Sequence, residues 1–129
     1  MDIKDLMIGN WYQWYAEGKY YFFKVTEDTF MENKDTIASF EPIQITEEIL
    51  EKNGFVKKEH VYPYPYYEYE FDNMVVGYAF PIGDNTSYKD NWIMVDSESI
   101  YSEHLPCKYV HQLQNFFRIC GIEKDIELL

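Results

Sequence analysis

The sequence predicts an α+β fold: a strongly curled, mostly antiparallel sheet with two short helices packed on it. Three observations predict it. Short aromatic and β-branched runs recur with turn residues between them. The stretch 67–71, "YEYEF", alternates apolar and acidic residues as a half-buried strand does. Residues 46–53 and 107–120 carry helix start and stop signals. With 129 residues, of which 47% are hydrophobic, the expectation is one domain, 1–129, with one core.

Taken in chain order, residues 8–15 and 20–26 read as strands joined by a tight turn at "AEGK", where Gly18 supplies a positive φ. This opening resembles the start of a small SH3-like barrel, and 36–40, "TIASF", reads as a third strand. In the helix at 46–53, Thr46 is the N-cap and Glu47 and Glu48 sit in the positive first turn. Ile45 is placed to staple onto Leu50, and Gly54 follows as the left-handed stop. Pro63 and Pro65 make 60–67 an extended loop or an edge. Asp72-Asn73 joins 67–71 to "MVVGYAF" as a hairpin. Residues 81–91 read as loop, 92–95 as a strand, and "IEKDIELL" as a closing strand or turn.

The last helix has one apolar arc of Tyr109, Val110, Leu113, Phe116, Phe117 and Cys120. Gly121 ends it and Ile122 folds back on Phe117. His111, Gln114, Asn115 and Arg118, the chain's single arginine, share the other side. All four carry directional hydrogen-bonding heads, where a solvated face favours Lys and Glu. Two readings stay open. This face docks the helix onto the protein's own strands, or it binds a ligand or partner, with Arg118 holding a carboxylate or phosphate by two parallel bonds.

Charge narrows the function classes. With 23 acidic against 11 basic residues the net charge is −12, which opposes phosphate backbones, so no direct nucleic-acid binding is expected. An acidic decoy for a nucleic-acid-binding host protein remains an alternative. No basic start or long apolar run marks a signal peptide or a membrane span, and two cysteines make no disulfide framework, so the expectation is a cytoplasmic protein. The six glycines form neither of the phosphate-cradling patterns, and no cofactor is expected. Glu68 and Glu70 share a strand face but are expected to meet solvent.

His104, Cys107, His111 and Cys120 have zinc-like residue types, but Cys120 falls on the core side, so no metal site is expected. A thiol enzyme is the second alternative, with Cys107 near a helix start as nucleophile and His111 one turn on as base. The tyrosines around two prolines at 62–69, in particular Tyr62, Tyr64, Tyr66 and Tyr67, form either a lid on the core or an aromatic rim for a partner.

Three segments carry a family resemblance: "IGNWY" at 8–12, "PIQITEEILEKNGF" at 42–55 and "CKYVHQLQNFFRICGIEKDIEL" at 107–128. In order and spacing they resemble a small-protein family of Bacteroidota, their phages and integrated mobile elements. The resemblance carries over no activity and no binding residues. It implies a bacterial or phage setting and an accessory role, such as counteracting host defence. The function expected is therefore non-enzymatic binding of a host protein or a small nucleotide-like signal. The candidate surface is Tyr62, Tyr64, Tyr66 and Tyr67 together with His111, Gln114, Asn115 and Arg118, and a homo-oligomer is left open.

Overall fold

The structure is a computed structural model that describes residues 7–31, 36–37, 39–59, 65–80, 91–96 and 105–128. It is an α+β fold of two antiparallel sheets. The first has strand order β2-β1-β3, from β1 (Trp11–Ala16), β2 (Lys19–Lys24) and β3 (Phe40–Glu41). The second runs in chain order through β4 (Val56–Lys58), β5 (Tyr66–Phe71), β6 (Met74–Ala79), β7 (Trp92–Asp96) and β8 (Leu105–Pro106). Among the described residues two α-helices of more than one turn accompany them, α1 (Glu47–Lys52) and α2 (Val110–Ile119), with a 3₁₀ helix at Glu27–Met31.

Both hairpins follow from their turns. Glu17 and Gly18 lie at φ 53° and 79°, the paired left-handed residues of a two-residue turn whose twist matches the strands. The register then sets Ala16 against Lys19 and Tyr12 against Phe23. Asp72 at φ 52° turns β5 into β6, pairing Phe71 with Met74 and Tyr67 with Tyr78. Alternation in "YEYEF" behaves as expected, since Tyr67, Tyr69 and Phe71 pack on the main core while Glu70 is exposed.

The helix ends carry their signals too. The Thr46 hydroxyl accepts the Ile49 N–H at 3.2 Å, and Ile45 and Leu50 are both buried in the main core. At the other end Phe55 N–H returns to Leu50 O at 3.0 Å. In α2 the Ile122 N–H returns to Phe117 O at 2.8 Å in the same way. Phe117 is fully buried, stacks on Phe55 at 6.2 Å and meets Tyr69 at a tilt at 5.6 Å, so α2 and the end of α1 close over the inner face of the large sheet.

Several boundaries differ from the sequence reading. Residues 36–37 are helical rather than strand, with Ser39 N–H bonded back to Thr36 O at 3.1 Å, so β3 is reduced to two residues. The strand β5 begins at Tyr66, one residue past Pro65, and lies between β4 and β6, so Tyr66 and Tyr67 are strand residues rather than part of a loop or an edge; residues 60–64 of that expected loop lie outside the described residues. The last helix starts at Val110, because Gln112 Oε1 accepts both the Lys108 and Tyr109 N–H groups, at 2.8 and 3.0 Å, and fixes the start there. Tyr109 therefore caps the helix instead of joining its core arc.

The C-terminal segment forms neither strand nor turn. It runs irregularly with Ile122 and Ile126 buried, held by Asn53. That amide donates to Glu127 O at 2.9 Å and accepts Glu127 N–H at 2.7 Å. Among the described residues no helix is long and apolar enough to cross a membrane.

Candidate functional site

The polar face of α2 meets the start of β1. On one side Val25 continues the β1–β2 ladder past Trp11, since Val25 N–H donates to Asn10 O at 2.9 Å and Gly9 N–H to Val25 O at 2.8 Å. That leaves Gly9 C=O and Trp11 N–H pointing the other way. Gln114 takes both. Its Oε1 accepts Trp11 N–H at 2.9 Å and its Nε2 donates to Gly9 O at 3.1 Å. One carboxamide thus fills the place of a neighbouring strand on the edge that β3 occupies further along.

The neighbours extend this contact. The buried Asn10 donates from Nδ2 to Asn115 Oδ1 at 2.9 Å, and Arg118 Nη1 donates to the same oxygen at 3.2 Å. Arg118 Nη2 reaches Ile8 O at 3.5 Å. Gly9, at φ 89°, lies directly beneath, and a Cβ there would come 3.1 Å from Arg118 Nη2, so a side chain would be both strained and crowded. His111 is stacked between Tyr12, at 5.1 Å, and Tyr109, at 5.8 Å. All four polar-face residues therefore have partners within the chain. Arg118 alone is exposed, beside an open cleft of about 600 Å³. Two acids, Glu123 and Asp125, balance Arg118 and Lys124 in that cleft, which gives an anion little preference.

The tyrosine group is divided. Tyr62 and Tyr64 lie outside the described residues. Tyr66 and Tyr67 are not rim residues: they are 5% and 2% exposed in β5. Tyr67 points into the main core, where burial and the Glu47 carboxylate push its phenol up to about 12. Tyr66 packs with Ala79 and Trp92 and donates to Glu68. Strand pairing covers both rings, Tyr67 against the main core and Tyr66 in a separate cluster on the other face of the sheet.

Cys107 precedes α2 by three residues and is 2% exposed. Burial pushes its thiol up to about 12, so it keeps its proton at neutral pH, the reverse of an activated nucleophile. Its carbonyl accepts the Tyr78 hydroxyl at 2.6 Å, which in turn accepts Asn91 Nδ2 at 2.7 Å. Cys120 is buried in the core, and burial raises its thiol as well. Among the described residues no three His, Cys, Asp or Glu side chains group as metal ligands, and His104 lies outside them.

The surface that stands out is one the residue pattern did not single out. Trp14, Tyr15, Tyr20, Tyr21 and Phe22 are between 38% and 55% exposed, all on the β1–β2 hairpin. Cross-strand pairing sorts them. Trp14 and Tyr21 share one face with Phe23 and Phe40 and line a groove of about 340 Å³. Tyr15 and Tyr20 meet edge to face at 5.0 Å on the other. Phe22, also on that second face, lines an open cleft of about 760 Å³ shared with α1 and Tyr109. The signal was present in "KYYFFK": four consecutive aromatics put rings on both faces of a strand, and a strand in a small sheet has a covered face only on one side.

Compared with protein families, with curated proteins and with solved structures, the chain finds no match.

Proposed function

We propose that the protein is a non-enzymatic binding protein whose contact surface is the β1–β2 hairpin, and that its target is another protein. The exposed aromatic set carries the reading. Five large rings on one projecting hairpin are what a folded chain covers unless a partner does so, and Tyr and Trp are the residues that anchor protein interfaces. A nucleotide-like signal is the weaker target. The cleft of about 760 Å³ beside Phe22 carries Glu41 and Glu48 against Lys52, a balance that repels phosphate. In the phage or mobile-element setting that the resemblance implies, the partner is a host protein that is bound or sequestered.

The test is comparative affinity capture from a Bacteroidota lysate, quantified by mass spectrometry, with wild-type protein, Trp14→Ser/Tyr21→Ser and Arg118→Lys. The reading expects a protein enriched by wild type and by Arg118→Lys and lost with the hairpin variant, each variant melting cooperatively. Enrichment that survives the hairpin change, or is lost with Arg118→Lys, contradicts it.

A further inference from the structure

We infer that the partner is captured by strand addition: an extended segment with acidic ends pairs with the open edge of β2. The inference rests on the hairpin being the contact surface, and it names how that surface works.

β2 is the outer strand of its sheet among the described residues. Its turn fixes which main-chain groups face outward. In a two-residue hairpin the flanking pair exchanges both hydrogen bonds, here Ala16 with Lys19, and alternate pairs follow, Trp14 with Tyr21 and Tyr12 with Phe23. Tyr20, Phe22 and Lys24 then direct their N–H and C=O groups away from β1. Three donors and three acceptors in a row make a template for an extended chain.

Side chains supply the alternate pockets that strand addition uses. A segment lying along β2 would set one row of its side chains beside Tyr21 and the apolar groove it lines, and the other row beside Tyr20, Phe22 and the larger cleft. Charge identifies the segment. The hairpin, 11–24, carries Lys19 and Lys24 against Glu17, in a chain of net charge −12. Both lysines are exposed and stand at the two ends of the strand, with aromatic rings between.

Charge argues against a second copy of this chain, because self-pairing would bring together two chains of net charge −12. Two β2 edges pair only outward residue to outward residue, Phe22 on Phe22 and Tyr20 on Lys24, so neither lysine meets an acid on the facing strand. A segment with Asp or Glu at its ends and apolar residues between supplies both acids.

The probe is a phage-displayed library of random twelve-residue peptides, selected on the whole chain, with the best peptides synthesised for titration. The inference expects apolar, acid-ended peptides to be enriched. Phe22→Pro removes an outward N–H and no ladder bond, so it keeps the hairpin and weakens the peptides about tenfold or more. Lys19→Glu, a change at an exposed position, weakens them about fivefold and keeps the melting temperature, so it decides the matter if Phe22→Pro fails to fold. Enriched peptides without acids, peptides indifferent to both variants, or a dimer in sedimentation that Phe22→Pro dissociates would each overturn strand addition. Peptides indifferent to Phe22→Pro and Lys19→Glu but lost with Trp14→Ser/Tyr21→Ser overturn it while leaving the hairpin reading standing. No enriched peptide at all, or peptides indifferent to all these changes, counts against both.

Discussion

Gln114 and Trp11 are joined as neighbouring strands are joined. The Trp11 N–H donates to the Gln114 side-chain oxygen at 2.9 Å, and the same carboxamide donates to Gly9 O at 3.1 Å. A helix side chain thereby completes the edge of β1 and ties the small sheet to the helix that covers the large one. Gln114→Ala would leave two main-chain groups without partners at a buried contact, and each such loss costs about 1–3 kcal/mol. Urea unfolding should show a loss of about 2–6 kcal/mol. Gln114→Glu keeps an acceptor for Trp11 but sets a carboxylate against the Gly9 carbonyl, so it should also destabilise.

Phe117 and Ile119 lie two residues apart on α2 and should behave oppositely. Phe117 is fully buried between Phe55 and Tyr69, so Phe117→Ala should cost about 3–5 kcal/mol. Ile119 is 83% exposed, and Ile119→Ala should change stability by about 0.5 kcal/mol or less. Thermal melts of the two variants check the contrast.

Asn53 holds the C-terminal segment by two bonds to the Glu127 main chain. In Asn53→Ala the Glu127 amide should lose its protection against hydrogen exchange, while the amides of β6 and β7 keep theirs.

Alkaline pH should unfold the protein through its buried neutral groups. The Cys107 thiol moves from its ordinary 9.0 to about 12 and the Tyr67 phenol from 10.0 to about 12. Both folded values are raised, so their contribution is complete below pH 9.0 and is lost as pH climbs through about 12. Over that window the unfolded chain releases protons that the folded one retains, and each group steepens the fall by about 1.4 kcal/mol per pH unit. Denaturant titrations across the window should show the decline, and Cys107→Ala should make it shallower by one group.

What the sequence made legible was local chemistry. The turns at Gly18 and Asp72, the Thr46 cap and the Gly121 stop each depend on a few adjacent residues, and the structure realises all four. Pairing between distant segments was not legible. The alternation of "YEYEF" already turned Tyr67 inward, but Tyr66 is covered because β5 lies between β4 and β6, which no local feature of "YPYPYYEYE" announces. The polar arc of α2 could be found by periodicity. Docking was one of the two readings it allowed, but the docking partner could not be found, because the groups that Gln114 satisfies belong to Gly9 and Trp11, about a hundred residues earlier. For the hairpin aromatics the reverse holds: their pairing was plain, and only the structure shows how little covers them.

The polar face of α2 holds β1, and the contact surface we propose is therefore the hairpin aromatics and not that face. Hydrogen exchange at the Trp11 amide is the sharpest check. That N–H faces away from β2 and has Gln114 Oε1 as its acceptor. Exchange should be at least about a hundredfold slower than at an open amide in the wild-type protein, with the protection lost in Gln114→Ala. A Trp11 amide that exchanges as fast as an open one in the wild-type protein, or keeps its protection in Gln114→Ala, would show that α2 does not hold β1 in this way.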